Sequence, residues 1–347
     1  MVFQGDPRRH GGRRWYQRCR EYPVDGRSYA RGVLVALCGG VGAARMLSGL
    51  IRVIPPEEIT AIVNVGDDLV LHGLQISPDL DTVTYMLAGL DNQETGWGVA
   101  GESWNAMDEL GRLGGEDWFR LGDRDLATHL FRTGRMRRGS SLSAVTAAIA
   151  ERRGIGVRLL PVSNDPVRTR VTLADQTTMG PPGTEVGFQD YFVRLQHDVP
   201  VSGVRFEGAD TALPAPGVLD ALESAERVVV CPSNPVVSIG PLLAVPGVRE
   251  ALLAARERTV AVSPIVAGTA LKGPADRLMA ELGTESSVVG VARLYSGWVG
   301  TLVIDTADSQ HVAGVEAEGM RCVVAPTVMS SPERAAQLAR VVIDVVG

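Results

Sequence analysis

The chain has 347 residues, 45% of them hydrophobic, a net charge of -6 and a pI near 5.5. That length fits two average domains or one large α/β domain. The acidic balance leaves no basic footprint for nucleic acid, and no uncharged apolar run approaches the roughly 18 residues that span a bilayer. A soluble protein with neither nucleic-acid nor membrane partners is expected.

Residues 1–31 carry eight arginines, three acids and no apolar stretch. The pairs Arg8-Arg9 and Arg13-Arg14 hint at a twin-arginine signal, but the apolar segment it requires does not follow. A disordered Arg-rich tail or an upstream start codon is the expectation, outside the folded part. The fold then begins at "GVLVAL" (32–37), a short apolar β run. It ends at the glycine turn of "CGGVGAARMLSGL", where Ala43 to Leu50 reads as a helix. "ITAIVNV" (59–65) is a second buried strand. Strand, glycine turn and helix in alternation point to parallel βαβ units.

From about 82 to 153 the pattern turns helical. "DTVTYMLAGL" places Val83, Met86, Leu87 and Leu90 on one helix face. "ESWNAMDELGRL", "DRDLATHLFRTGRM" and "SLSAVTAAIAERRG" follow, the last capped by Ser140 or Ser141 and ended by Gly154. "VRLLPVS" returns to strand. "TRVTLA" and "EVGFQDYFVRL" flank a Gly/Pro/Thr turn and predict an antiparallel hairpin. "GVRFEG", "RVVVC", "TVAVS", "GTLVID" and "RCVVAP" read as further strands, with helices at "PGVLDALESA" and "ADRLMAELG". "SPERAAQLARVVIDVV" closes the chain as a helix with Ser331 at its cap and Pro332 at its first position. The expected fold is α/β: one Rossmann-like domain over 32–347, a mostly parallel sheet flanked by helices, with a helical insertion and an antiparallel hairpin.

Cys19, Cys38, Cys231 and Cys322 lie far apart, with no CxxC pair and no zinc spacing. They suit a reduced, cytoplasmic protein. Lys272 is the only lysine among 34 basic residues, a bias that a GC-rich genome explains. No lysine therefore lies near a glycine-rich loop in the first 271 residues.

In open parallel sheets ligands bind beyond the carboxyl ends of the strands. Four segments sit at such ends: Cys38–Arg45, Asn64–Asp68, Cys231–Pro235 and Ser263–Pro274. "GGVG", with Gly39, Gly40 and Gly42, is a phosphate cradle or a tight turn; Arg45 is a partner for the phosphate in the first case. It fits neither the dinucleotide fingerprint, which would need glycine at position 45, nor a P-loop, which needs lysine. Ser233 and Asn234, between two prolines, either present groups to a base or phosphate or make an ordinary turn. Ser263 opens the similar "SPIVAGTALKGP", where Lys272 approaches a phosphate or is solvated.

"VNVGDDLVLHGLQISPDLDT" (63–82) carries four aspartates at a strand end. Asp67 and Asp68 follow a buried strand and suit Mg²⁺, an ion held by oxygen ligands and often shared with substrate phosphates. Asp79 reads as a helix N-cap as readily as a ligand. Asp81 could orient or deprotonate an attacking hydroxyl, and it converges on Asp67 only if the intervening loop doubles back. Asp123 and Asp125 read as structural, His72 and His129 as satisfied histidines. Arg132, Arg135, Arg137 and Arg138 read as a solvated helix face.

In order, the motifs are "GGVGAAR", "VNVGDD", "SPDLDT", "GWG", "LGDRDLATH", "FQDYFVR", "PSNPVVSIGP", "SPIVAG" and "KGPAD". Together they resemble the 2-phospho-L-lactate transferase family (CofD; phosphoenolpyruvate transferase in bacteria) of coenzyme F420 biosynthesis, over essentially all of 32–347. The resemblance implies a Mg²⁺-using transferase. A guanosine diphosphate donor carries a three-carbon acid; the terminal ribityl hydroxyl of the deazaflavin Fo attacks its phosphorus, and GMP leaves. It implies that Asp81 binds Fo, that Arg120, before "LGDRD", does so more loosely, and that the protein is a homodimer. The related gluconeogenesis-factor family, which looks like a nucleotide-sugar-binding regulator, shares the "GG.G" start and a DD pair but lacks "SPDLDT" and "LGDRDLATH". A nicotinamide oxidoreductase is disfavoured by Arg45.

Overall fold

The computed structural model describes residues 34–93 and 96–345. The Arg-rich segment 1–31 lies outside the described residues. Seven parallel strands form the central sheet: β1 (Leu34–Cys38), β2 (Ile59–Val63), β5 (Arg158–Pro161), β9 (Arg227–Val230), β10 (Thr259–Val262), β13 (Thr301–Ile304) and β14 (Arg321–Val324). They stand in the order β14-β13-β10-β9-β1-β2-β5. Residues of β1, β2 and β10 are buried throughout. That is why these strands read as continuous apolar runs rather than alternations. The chain builds outward from β1 in one direction, then returns to β9 and builds the other way. The switch point therefore lies between β1 and β9, where a crevice opens beyond the strand ends.

Helix α1 (Gly40–Leu50) follows β1 directly, three residues earlier than its sequence start. Gly40 takes φ +68, a left-handed conformation that a side chain resists. A Cβ on Gly42 would run into the carbonyl oxygen of Pro232, so α1 crosses the 231–235 loop only because residue 42 has no side chain.

Between β2 and β5 the chain first makes a small antiparallel hairpin, β3 (Leu69–Leu71) and β4 (Leu74–Ile76). Four helices follow: α2 (Pro78–Leu87), α3 (Asn105–Arg112), α4 (Asp123–Met136) and α5 (Leu142–Arg152). α3 and α4 cap each other. Asp123 accepts from the Asn105 and Ala106 amides at 3.2 and 3.1 Å, while Glu102 accepts from those of Arg124 and Asp125 at 2.8 and 2.9 Å. Asp123 is thus a cap, but for the neighbouring helix; the bond from Ser103 and these bonds hold its carboxyl down at about 2. Ser141 caps α5 through the Ala144 amide.

The hairpin expected after residue 168 differs in its second arm. β6 (Arg168–Leu173) pairs with β7, which is only Glu185–Gly187. The remainder, Asp190–Arg194, coils into a π-helical turn. Phe188 and Tyr191, buried three residues apart, pack on one side with Val171 and Val186; a strand would send them to opposite faces. The third strand of this small sheet is β8 (Val201–Glu207), antiparallel to β6. After β10 a two-residue ladder forms between β11 (Ile265–Val266) and β12 (Thr269–Ala270). The C-terminal helix Pro332–Asp344 is capped by Ser331 Oγ on the Arg334 amide, with Pro332 at its first position. Among the described residues no single helix is long and apolar enough to cross a membrane.

Candidate functional site

The neighbouring strands β10, β9, β1 and β2 bring the four strand-end segments side by side. Cys38 and Cys231 pack with their sulfurs 3.7 Å apart on adjacent strands. Immediately above them the loops are laced together. Ser233 Oγ donates to the Gly39 carbonyl at 2.8 Å and accepts from the Gly39 amide at 3.3 Å. Asn234 Oδ1 caps the turn Pro235–Ile239 through the Val236 and Val237 amides. Ser263 Oγ closes a turn on both the carbonyl and the amide of Ile265. These three side chains hold the loops in shape, and Ser233 engages both the amide and the carbonyl of Gly39.

The four aspartates of the "VNVGDD" and "SPDLDT" segments are all buried, at 5–9% exposure. The β3–β4 hairpin doubles the chain back, and it brings Asp79, rather than the expected Asp81, to bear on Asp67. It returns Ser77 to donate to Asp68 Oδ2 at 2.8 Å. Ser77 takes the N-cap position of α2. Asp79, the expected cap, instead points at the glycine turn. It accepts from Asn64 Nδ2 at 2.8 Å and from the Gly40 amide, and a Cβ on Gly39 would stand 3.2 Å from it. Asn64 also accepts from the Gly66 amide at 2.8 Å, shaping the turn that aims Asp67 and Asp68.

Three of these carboxyls are hard to ionise. Burial pushes Asp67 well above the ordinary range, and the charges of Asp79 and Asp68 add to it. Burial raises Asp68 to about 7 against the pull of Arg168, Ser77 and Arg132. Burial raises Asp79 to about 6, despite its bonds from Asn64 and Gly40. Among the described residues, Asp67 Oδ1 and Asp68 Oδ1 are buried with no hydrogen-bond partner. Buried polar atoms rarely go unmatched, and negative oxygens that crowd one another at a strand end fit a divalent cation.

Asp81 faces the other way. Both its oxygens are gripped by Arg132, one at 3.0 Å and the other more closely, in a pair whose arginine side chain is 2% exposed. Arg132 is therefore no part of a solvated face. Burial works against its charge, but Asp81 and then Asp68 outweigh that and hold the guanidinium's proton more tightly than usual. His129 lies beneath, 3.6 Å from Asp81 and 3.2 Å from Asp125. Tyr85 donates a hydroxyl to Asp125. Burial works against Asp125's charge, but His129 and Tyr85 outweigh it and leave the carboxyl below its ordinary range. Asp81, Asp125 and His129 offer ligand atoms within 4.8 Å of one another, a group that could hold a metal ion. Arg132 already neutralises its first member, so the orphaned oxygens of Asp67 and Asp68 fit a cation better.

Arg120 is exposed, ion-paired to Asp108 at 2.5 Å and stacked over Trp104 at 5.0 Å. Arg45 is half-buried on α1, near Gly96. Sequence reasoning missed the Asp81–Arg132 pair; the one available signal was an arginine at the same helical face as His129, three residues on.

A family profile described as 2-phospho-L-lactate transferase CofD matches residues 34–339. The phosphoenolpyruvate transferase of Kitasatospora aureofaciens is 47% identical over 315 residues, 88% of this chain and 95% of that protein. That of Mycolicibacterium smegmatis is 40% identical over 324 residues, 90% of this chain and 98% of that protein. Among solved structures, a UPF0052-family protein from Bacillus halodurans shares the fold, with a TM-score of 0.57 at 17% identity over 91% of this chain and all of the other.

Proposed function

The chain belongs to the 2-phospho-L-lactate transferase (CofD) family, and from that membership we propose the reaction of a specific transferase. A phospho-three-carbon-acid group, enolpyruvyl or lactyl phosphate, moves from a guanosine diphosphate donor to the terminal ribityl hydroxyl of the deazaflavin Fo. The new bond joins the hydroxyl oxygen to the phosphorus beside the acid. The bond to GMP breaks, GMP leaves, and the hydroxyl proton goes to solvent. The product belongs to coenzyme F420 biosynthesis in the cytoplasm, and a homodimer is the expected assembly.

The observation that supports this most directly is the pair of orphaned carboxylate oxygens on Asp67 and Asp68 beside the glycine turn. Asp67 and Asp68 would hold Mg²⁺, which when bound offsets charge on the transferring phosphate. The start of α1, behind the turn of Gly39, Gly40 and Gly42, receives the donor's phosphates, with Arg45 reaching back along the helix; the Gly39 and Gly40 amides themselves are taken by Ser233 and Asp79. Ser233, Asn234 and Ser263 fix the loops around the nucleotide. Asp81 accepts a hydrogen bond from the Fo hydroxyl. Arg132 holds the Asp81 carboxylate in one orientation, so Asp81 aligns the hydroxyl for in-line attack rather than moving freely to collect its proton. Arg120, in the exposed segment before α4, supports the deazaflavin.

The test is direct. The protein is incubated with Fo, Mg²⁺ and each guanylylated acid in turn, and GMP release and product mass are measured. One acid should give GMP and a mass equal to Fo plus the phospho-acid. No GMP with any acid would remove the reading.

A further inference from the structure

We propose that His129 and Asp125 are positioning residues: with Tyr85 they form a one-way chain of protons that fixes Arg132, and through it the Asp81 carboxylate, for the attacking hydroxyl. The inference rests on the transferase reading above and extends it to side chains that touch no substrate. The chain runs between two helices. α2 carries Asp81 and Tyr85, four residues apart. α4 carries Asp125, His129 and Arg132 at i, i+4 and i+7, so each set shares one helix face. Tyr85 meets Asp125 at one end, and Asp81 meets Arg132 at the other. His129 lies between them, its side chain 1% exposed. Its Nδ1 is 3.2 Å from Arg132 Nη1, and its Nε2 is 3.2 Å from Asp125 Oδ1.

The direction of each proton follows from the partners. A guanidinium only donates, so His129 Nδ1 must accept from Arg132, and the ring proton is assigned to Nε2, toward Asp125. That contact falls short of an in-line hydrogen bond, so Asp125 steadies the Nε2–H chiefly by its charge. Burial and then the charges of Asp81 and Asp125 hold the Tyr85 hydroxyl well above its ordinary range, so it stays the donor to Asp125. At the other end Arg132 Nη1 has three acceptors: His129 Nδ1, the Gln75 carbonyl at 3.3 Å and Asp81 Oδ2 at 3.0 Å. Nη2 serves Asp81 Oδ1. Acceptors from three separate groups leave a planar fork little freedom to turn. Each Asp81 oxygen gives one lone pair to Arg132 and keeps another for a hydroxyl. Without the imidazole, Nη1 loses one of its holds, and the fork can swing and take the Asp81 carboxylate with it. A misplacement of about 1 Å at a reacting group costs up to about 100-fold in rate.

Turnover is measured as GMP release by the full chain with Fo, Mg²⁺ and the guanylylated acid that the wild type accepts. His129→Leu should lower kcat about 10- to 100-fold and change KM for the donor by less than about 3-fold. His129→Asn, whose Oδ1 can accept from Arg132 near the place of Nδ1, should recover most of that loss. Added to Arg132→Met, His129→Leu should slow turnover no further, because a positioning residue acts only through the arginine it holds. A residue needed merely for the fold would slow both backgrounds alike. Circular dichroism checks that the variants fold, and if the double variant does not, the Asn rescue still decides. A readout free of turnover is nitrogen-15 NMR of histidine-labelled protein, with five histidines in the chain and His129 assigned by the signal lost in His129→Asn. It should show Nε2 protonated and Nδ1 bare. A protonated Nδ1, unchanged kcat in His129→Leu, no rescue by Asn, or an equal further loss in the Arg132→Met background overturns the chain alone. If the wild type releases no GMP with any acid, the transferase reading falls and the positioning role with it.

Discussion

Asp68→Asn should stabilise the metal-free protein at alkaline pH while impairing metal binding. The Asp68 carboxyl titrates near 7 in the fold, against an ordinary 3.8. Ionising it in place therefore opposes folding by about 4 kcal/mol. The sign follows from linkage: with the folded pKa raised, the penalty is absent below about pH 4, grows as pH rises and is complete above about pH 7. The amide removes it. The amide oxygen of the substituted side chain can still accept from Ser77, but the NH₂ group replaces an oxygen that has no partner, and an unmatched buried donor costs about 1–3 kcal/mol. The net gain at pH 8 is then about 1–3 kcal/mol, shrinking or reversing at pH 5. Urea unfolding of both proteins in chelator at the two pH values measures it. An Asp68→Asn protein less stable than wild type at pH 8, or a difference independent of pH, would refute the buried-charge account.

Adding Mg²⁺ should raise the melting temperature of the wild type, because a ligand bound only to the fold stabilises it; Asp67→Ala should abolish that rise, and an unchanged shift would remove Asp67 from the cation site. Arg132→Met leaves Asp81 buried without its counter-charge and should cost about 3–5 kcal/mol in urea unfolding. Arg132→Met with Asp81→Leu should recover most of that loss, and a double variant as unstable as the single one would show that the pair is not what holds α2 to α4. Asp81→Asn should both cripple turnover and lower stability, since the amide cannot neutralise Arg132; full turnover would take Asp81 out of the reaction. Gly42→Ala, forced against the Pro232 carbonyl, should cost about 1–3 kcal/mol and lower the melting temperature by several degrees, measured by calorimetry.

Most of the sheet was legible because its strands are short, largely apolar and separated by glycine turns and helices. β1, β2, β9, β10 and β13 stand within a few residues of where the sequence put them. The capped elements were read almost to the residue: Asp123–Met136, and Pro332–Asp344 behind Ser331. What failed was local and had a common cause. "EVGFQDYFVRL" has aromatic and β-branched residues at strand frequency, but its large apolar groups fall at helical spacing beyond Gly187, and burial of Phe188 with Tyr191 decided the matter. The partner of a cap was equally hidden. Asp123 reads as structural from the sequence; that the amides it serves, at 105 and 106, belong to α3 is a fact of tertiary packing alone.

The aspartates show where a sequence stops informing. Density of carboxylates marked the region, yet four similar side chains in one short segment turn out to live in two electrostatic environments. Asp67 and Asp79 share one, where burial raises each carboxyl and outweighs whatever opposes it, and Asp68 stands between the two, raised by burial but pulled by Arg168 and Arg132. Asp81, two residues after Asp79, lies on another side of α2 and meets a buried arginine from α4. Helical geometry alone explains the parting, since residues two apart on a helix face in different directions. The consequence is a division of labour along one turn of α2. Its Asp79 side belongs to the glycine turn and the strand ends, where carboxylates are in excess and a cation is wanted. On its Asp81 side the carboxylate is already matched by a guanidinium, so it can present a fixed hydrogen-bond acceptor without demanding a metal. The transfer proposed above, with a phosphate held on one side and a neutral hydroxyl aimed from the other, would use that asymmetry, and a single undivided acidic patch would not supply it.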